Sequence, residues 1–296
     1  MNKLFLAPWY RCGYYVSSLG ACTKGDSPLA TTVVFTVVFG VLVVFAGCLA
    51  ALVGLEVVQR LVPAEKRQEH NDVAGFLYAV VGIVYAVLLA LLVIAVWEQF
   101  QKARETVESE ANGVAEVAWL AHRLPEPERH ELQEDARAYA QEVVDTEWPR
   151  MEQGLEGVQS FPEGWDLISS IRVTLQEVEV RTAADQALYT EGLDQIERLN
   201  DARRMRFVAA EEGIPGVLWA VLVFGAVVTV GFTYLFGLRN TRAHRLMVMS
   251  LTSVIALVLF TIGVMEDPFS GGASLEPEAF ELILERFETS KLSSLR

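Results

Sequence analysis

The chain has 296 residues, 52% of them hydrophobic, and a mean hydropathy of +0.31, yet it carries 38 acids against 24 bases. A soluble protein spreads such contents evenly; here they are segregated. Between Glu98 and Gly213 stand 26 acids and 12 bases, net −14, which equals the charge of the whole chain and leaves the rest neutral. A surface of that sign repels phosphates and excludes nucleic acid as an expected partner.

In chain order, residues 1–28 read as an interfacial segment, because Trp9, Tyr10, Tyr14 and Tyr15 have amphipathic rings suited to headgroup level. The patch Leu4–Ala7 is too short for a signal-peptide core, so no cleaved signal is expected. Residues 29–97 hold two charge-free runs, Leu29–Leu55 and Val73–Trp97; residues 214–265 hold two more, Ile214–Leu238 and Leu246–Met265. A helix rises about 1.5 Å per residue, so roughly 20 residues cross the hydrocarbon core, and all four runs qualify. Gly40, Gly47 and Gly54 share one face of the first span at seven-residue spacing, which predicts close helix packing.

The second span starts at His70-Asn71-Asp72 and meets no helix breaker until Leu124-Pro125-Glu126-Pro127. It predicts one rod of about 50 residues, about 75 Å long at the helical rise, running out of the bilayer. Residues 98–213 continue as an acidic, all-helical domain. A helix runs from the prolines to about Glu152, with Leu132, Ala136, Tyr139 and Val143 at three-to-four spacing and a bend near Pro149. A loop spans Gly154–Pro162, then come helices from Trp165 to Arg181 and from Ala183 to Glu212. Residues 266–296 form a tail with a short amphipathic helix from Pro277 to about Phe287. No period-two pattern is present, so the fold class is an all-α integral membrane protein.

Charge does not orient it. The two short loops carry Arg60, Lys66, Arg67, Arg239, Arg242 and Arg245, but Lys102, Arg104, Arg198, Arg203, Arg204 and Arg206 flank the spans on the opposite side.

No catalytic set stands out: G-x-S-x-G, a Gly-rich phosphate loop and H-E-x-x-H are all missing. His70, His122, His130 and His244 are scattered, and Cys12, Cys22 and Cys48 show no ligand spacing, so neither a metal nor a cofactor is expected. The many carboxylates of the middle domain read as solvated surface. An enzyme is not expected.

The second span is the candidate site. Tyr78, Gly82, Tyr85, Leu89, Leu92 and Val96 recur on one helix face, with Leu88 at its edge. One reading is a pore lining with a bulky dewetting neck at Leu88, Leu89 and Leu92. The other is helix packing, with glycine for close approach and tyrosines bonding to neighbours. His70, Asn71 and Asp72 read either as a helix cap or as a polar ring at a pore mouth.

The stretch Trp97-Glu98-Gln99-Phe100-Gln101-Lys102-Ala103-Arg104, followed by Asn112 and Leu120-Ala121, resembles the segment of bestrophins where the pore helix runs into an aromatic/E-A-R motif. The tail Glu266-Asp267-Pro268-Phe269-Ser270-Gly271 is similar to the E-N-P-F-G segment after their last span. With His70-Asn71-Asp72, Gly75, Gly82 and Tyr85-Ala86, the chain from about Val33 to Phe280 resembles a bacterial bestrophin-like domain. Trp97, Glu98, Phe100, Arg104, Asp267, Pro268, Phe269 and Gly271 carry the motifs.

The resemblance implies four spans in the cell membrane, cytoplasmic termini and helical domain, and a pentameric ring of copies. Its central pore, lined by the second helices, passes small inorganic ions, most often chloride. Three features depart from the family pattern. The neck candidates are Leu and Tyr rather than Ile and Phe; Val93-Ile94-Ala95-Val96 replaces an asparagine-rich turn; and Ser270–Ser274 lacks the acidic run that binds calcium in animal bestrophins. A second reading, carried by the local −14 charge, is a non-conducting scaffold or sensor whose acidic domain recruits a partner protein.

Overall fold

The computed structural model describes residues 28–68, 71–154, 161–238 and 240–294. Among them the secondary structure is helical throughout, with no strand. In chain order the helices are α1 (Pro28–Leu61), α2 (Ala64–Gln68), α3 (Asn71–Ala121), α4 (Glu128–Glu142), a π-turn (Val143–Glu147), α5 (Trp148–Glu152), α6 (Pro162–Glu177), α7 (Ala183–Glu211), α8 (Gly216–Thr233), α9 (Thr241–Met265) and α10 (Glu278–Ser294). The chain divides into two units: a membrane unit of residues up to Trp97 plus Ile214–Glu266, and an acidic unit of Glu98–Gly213 plus the residues from Asp267 on.

The membrane unit holds four helices long and apolar enough to cross a bilayer: Val34–Leu61 of α1, α3, α8 and α9. The third is shorter than the charge-free run predicts, because the chain turns at Tyr234-Leu235 instead of continuing to Leu238. The fourth starts earlier than Leu246, since Asn240 caps it by accepting from the Arg242 and Ala243 amides. The glycine face of α1 meets its neighbours as its spacing predicts. A β-carbon on Gly40 would stand 2.7 Å from the Phe260 ring, and one on Gly54 would stand 2.9 Å from Tyr234. Cys48 lies buried on the same helix, its sulfur 3.2 Å from Ser253 Oγ.

The acidic unit has its own apolar core. Each helix places a three-to-four stripe inward: Val107, Ala111 and Val114 from α3, Leu132, Ala136 and Tyr139 from α4, Ile168, Ile171 and Leu175 from α6, and Ile196 and Leu199 from α7. Local chemistry sets the ends. Thr182 and Asp185 form a reciprocal capping box at α7, and Pro162 opens α6.

Pro149 acts as the sequence suggests, though by a wider route than a bend. Its ring nitrogen cannot donate to the Asp145 carbonyl, and the helix opens into a π-turn just before it, where the Trp148 amide reaches Val143 O. The tail, which the sequence presents as a segment of its own, belongs to this unit. Phe269 and Phe280 are buried against Trp148, whose Nε1 donates to Leu275 O at 3.2 Å.

Candidate functional site

The face of α3 singled out by sequence is turned into the membrane unit. Tyr85 is buried and donates from its hydroxyl to Leu222 O of α8 at 3.0 Å. Gly225 makes this contact possible, since a β-carbon there would stand 2.5 Å from the Tyr85 ring. Tyr78 sits edge-on to Phe236 at 5.7 Å and tilted to Phe232 at 5.9 Å. Leu92 and Val96 are buried with Leu222 and Ile262, and half-buried Leu88 and Leu89 bridge that cluster and the one around Tyr85. Gly82 is half-buried, with open space where a side chain would be. The expected neck is thus corrected: within this chain the stripe is a packing face, because its rings and branched carbons are already covered by α8 and α9.

The residues that α3 leaves uncovered follow the same period on its opposite side. In the bilayer-length part they are Phe76, Val80, Ile83, Val87, Leu91 and Ile94, all exposed. In the acidic unit the exposed positions are Glu98, Lys102, Glu105, Ser109, Asn112 and Glu116. Trp97 and Arg104, from the aromatic motif, are exposed as well, and Arg104 lies 3.8 Å from Glu108. Phe100 packs on the acidic unit's core.

At the start of α3 the cap reading is corrected too. The Asn71 amide is spent on another segment: Nδ2 donates to Gly237 O and Oδ1 accepts from Gly237 N, at 3.1 and 3.0 Å. Asp72 is exposed on the first turn, and His70 lies outside the described residues. Nearby, Arg67 is buried and donates to Tyr234 O and Phe236 O, satisfying carbonyls at the end of α8. His244 is buried with Nε2 at 3.0 Å from Thr233 O. At the other end of the membrane unit, Glu266 accepts from the Ile214 amide and from Trp219 Nε1, both at 3.0 Å. The motif residues that follow anchor the tail: Pro268 and Phe269 are buried, Asp267 is half-buried, and Gly271 turns the chain at φ 103°.

The largest departure from the sequence reading is in the acidic unit. Glu110, Glu147, Arg203 and Arg206 are fully buried rather than solvated or flanking a membrane surface. Arg206 grips Glu110 through Nε and Nη2 at 2.6 and 3.0 Å and also reaches Glu147 at 2.5 Å. Arg203 forks onto both oxygens of Glu147 at 3.0 and 2.6 Å and donates to Phe161 O. Tyr139 donates to Glu110 at 2.5 Å. Phe207 lies under both guanidiniums, at 5.0 and 4.7 Å.

Burial works to raise the Glu147 carboxyl, but Arg206 and Arg203 outweigh it and hold the group below the ordinary carboxylate range. Burial and the Glu110 charge push the Tyr139 hydroxyl well above its usual range, so it stays a donor. A signal for all four charges was present. Each occupies a position where the three-to-four stripe of its helix calls for an apolar residue, as in Ile196, Leu199, Arg203, Arg206, Ala210. Among the described residues no three His, Cys, Asp or Glu side chains converge as metal ligands.

The fold resembles known structures. A point-mutant bestrophin homologue from Klebsiella pneumoniae superposes with a TM-score of 0.60 at 13% identity, over 84% of this chain and 97% of that one. Another crystal structure, described only as a mutant membrane protein, gives 0.62 at 14%, over 83% and 96%. A search of curated proteins found no match. The family model of the bestrophin-like domain matches residues 45–280. Four apolar spans, a helical unit completed by the tail, and that match over most of the sequence place the chain in the bestrophin-like domain family.

Proposed function

We propose that this protein is an ion channel of the cell membrane, formed by a ring of copies whose α3 helices surround a central pore. The observation that carries the reading is the uncovered face of α3. It is apolar from Phe76 to Ile94 and polar from Glu98 onward, along one unbroken helix. An apolar stretch of that kind makes a dewetting neck, and the polar continuation makes a wall for hydrated ions. Five copies and chloride as the ion are what the bestrophin likeness implies, with the acidic unit on the cytoplasmic side.

A second reading of selectivity rests on a specific feature. The exposed face of α3 beyond Glu98 carries Glu105, Glu108 and Glu116 against Lys102 and Arg104, a balance that concentrates cations. Flux from liposomes loaded with chloride or with sodium separates the two selectivities. Silence to both at varied pH and voltage, with a protein partner recovered in fixed ratio, favours the scaffold. Val87→Ala and Ile83→Ala are expected to raise the conductance with folding unchanged; unaltered currents would remove this face from the pore.

A further inference from the structure

The buried charges form a cluster whose energetics and placement ask for a role other than stability. Two guanidiniums and two carboxylates balance to zero, and each is fully withdrawn from water. Desolvating such groups costs several kcal/mol per ion, and well-packed apolar residues of similar volume commonly do as well or better. Arg203 is so tightly enclosed that its Nε has no partner, and a β-carbon on Gly164 would collide with its guanidinium.

The surroundings explain what the charges supply. Around them, α3 and α7 meet across small side chains. Ala103, Ala111 and Ala118 lie on one helix and Ala202, Ala209 and Ala210 on the other. Gly113 backs onto Leu199, whose Cβ would be 3.2 Å from a β-carbon at 113. A seam this smooth packs nearly as well after one helix slides a turn, about 5.4 Å, along the other. The charges do not tolerate that slide. Moving Glu110 by a turn parts it from Arg206 and Tyr139 and leaves unpaired charge in an apolar core.

We infer that Glu110, Glu147, Arg203 and Arg206 are a register lock. They set the axial position of the extramembrane half of α3 against α7, and with it the height of the exposed ring-forming side chains Lys102, Glu105, Ser109, Asn112 and Glu116. The lock stands on the geometry alone. Its bearing on conduction rests on the pore proposed above.

Disulfide trapping reads the register within one chain. The background is the full-length protein with Cys12 and Cys22 replaced by Ser. Gly113→Cys with Leu199→Cys reports the native register; Val117→Cys or Ser109→Cys with Leu199→Cys reports a slide of one turn either way. Intrachain bonds are identified by mass spectrometry of the cross-linked peptides. With the charges present, only the 113–199 bond is expected. With all four charged residues replaced by Met, helix content and melting temperature are expected to hold while a 117–199 or 109–199 bond appears.

Trapping at 113–199 alone in the four-Met protein would overturn the lock. A lower melting temperature without any slipped bond would do the same, reducing the charges to a structural role. Should the four-Met protein fail to fold, Arg206→Lys keeps the charge and loses the fork. It is expected to yield the slipped bond in part, and its confinement to 113–199 would equally defeat the proposal. Slipped bonds with wild-type unitary currents would leave the lock intact and instead reject the α3 wall of the pore.

Discussion

The two units solve the same packing problem with opposite means. In the membrane unit, helices approach through glycine and are fixed by aromatic rings and single hydrogen bonds, as at Gly40–Phe260 and Tyr85–Leu222. In the acidic unit, a larger apolar core closes around buried ion pairs. The difference follows from solvent. Lipid tails are as apolar as leucine, so burial against a neighbouring span gains little beyond contact, and fit must do the rest. Water drives the acidic unit's core together regardless of fit, so specificity there falls to groups that tolerate no substitute partner.

The largest expected effect falls on the charged core. Glu147→Leu strands two guanidiniums and should cost about 3–5 kcal/mol, seen as loss of the acidic unit's melting transition in detergent. The same group predicts a pH dependence. Because the folded carboxyl titrates below its unfolded value of 4.5, its stabilisation is full above that pH. It fades as pH falls through the folded value. The four-Met protein should melt with a shallower acid slope, and an unchanged slope would place the acid sensitivity elsewhere.

A matched pair sharpens the comparison further. Leu132→Ala in the acidic unit should cost about 2–5 kcal/mol, a loss of transfer energy plus a cavity. Leu92→Ala in the membrane unit, equally enclosed by its neighbours, should cost only about 1–2 kcal/mol, because lipid already solvates the unpacked side chain. Equal losses in chemical denaturation would contradict the proposed division between the two units. Smaller still, Tyr85→Phe removes one hydrogen bond to Leu222 and should shift stability by about 1 kcal/mol without altering the current.

The spans and helices were legible because charge-free runs, prolines and capping residues act locally. Leu124-Pro125-Glu126-Pro127 ends α3 in sequence and in structure, and Thr182 starts α7. Two things were not legible. In a bilayer both sides of a spanning helix are apolar, so Tyr85 on the packed side and Val87 on the exposed side carry the same signal. The carboxylates of Glu110 and Glu147 look like the acids around them, and only their place within an apolar stripe marks them. Their partners are 96 and 56 residues away along the chain, beyond any local pattern.

The tail's position has a consequence for biosynthesis. Trp148 is made early, but Phe269, Leu275 and Phe280, which enclose it, leave the ribosome only after the fourth span. Until then the nascent acidic unit carries an open apolar slot. Closing that slot reports that every span has been translated, and a chain truncated before Asp267 keeps it open for chaperones and proteases to find.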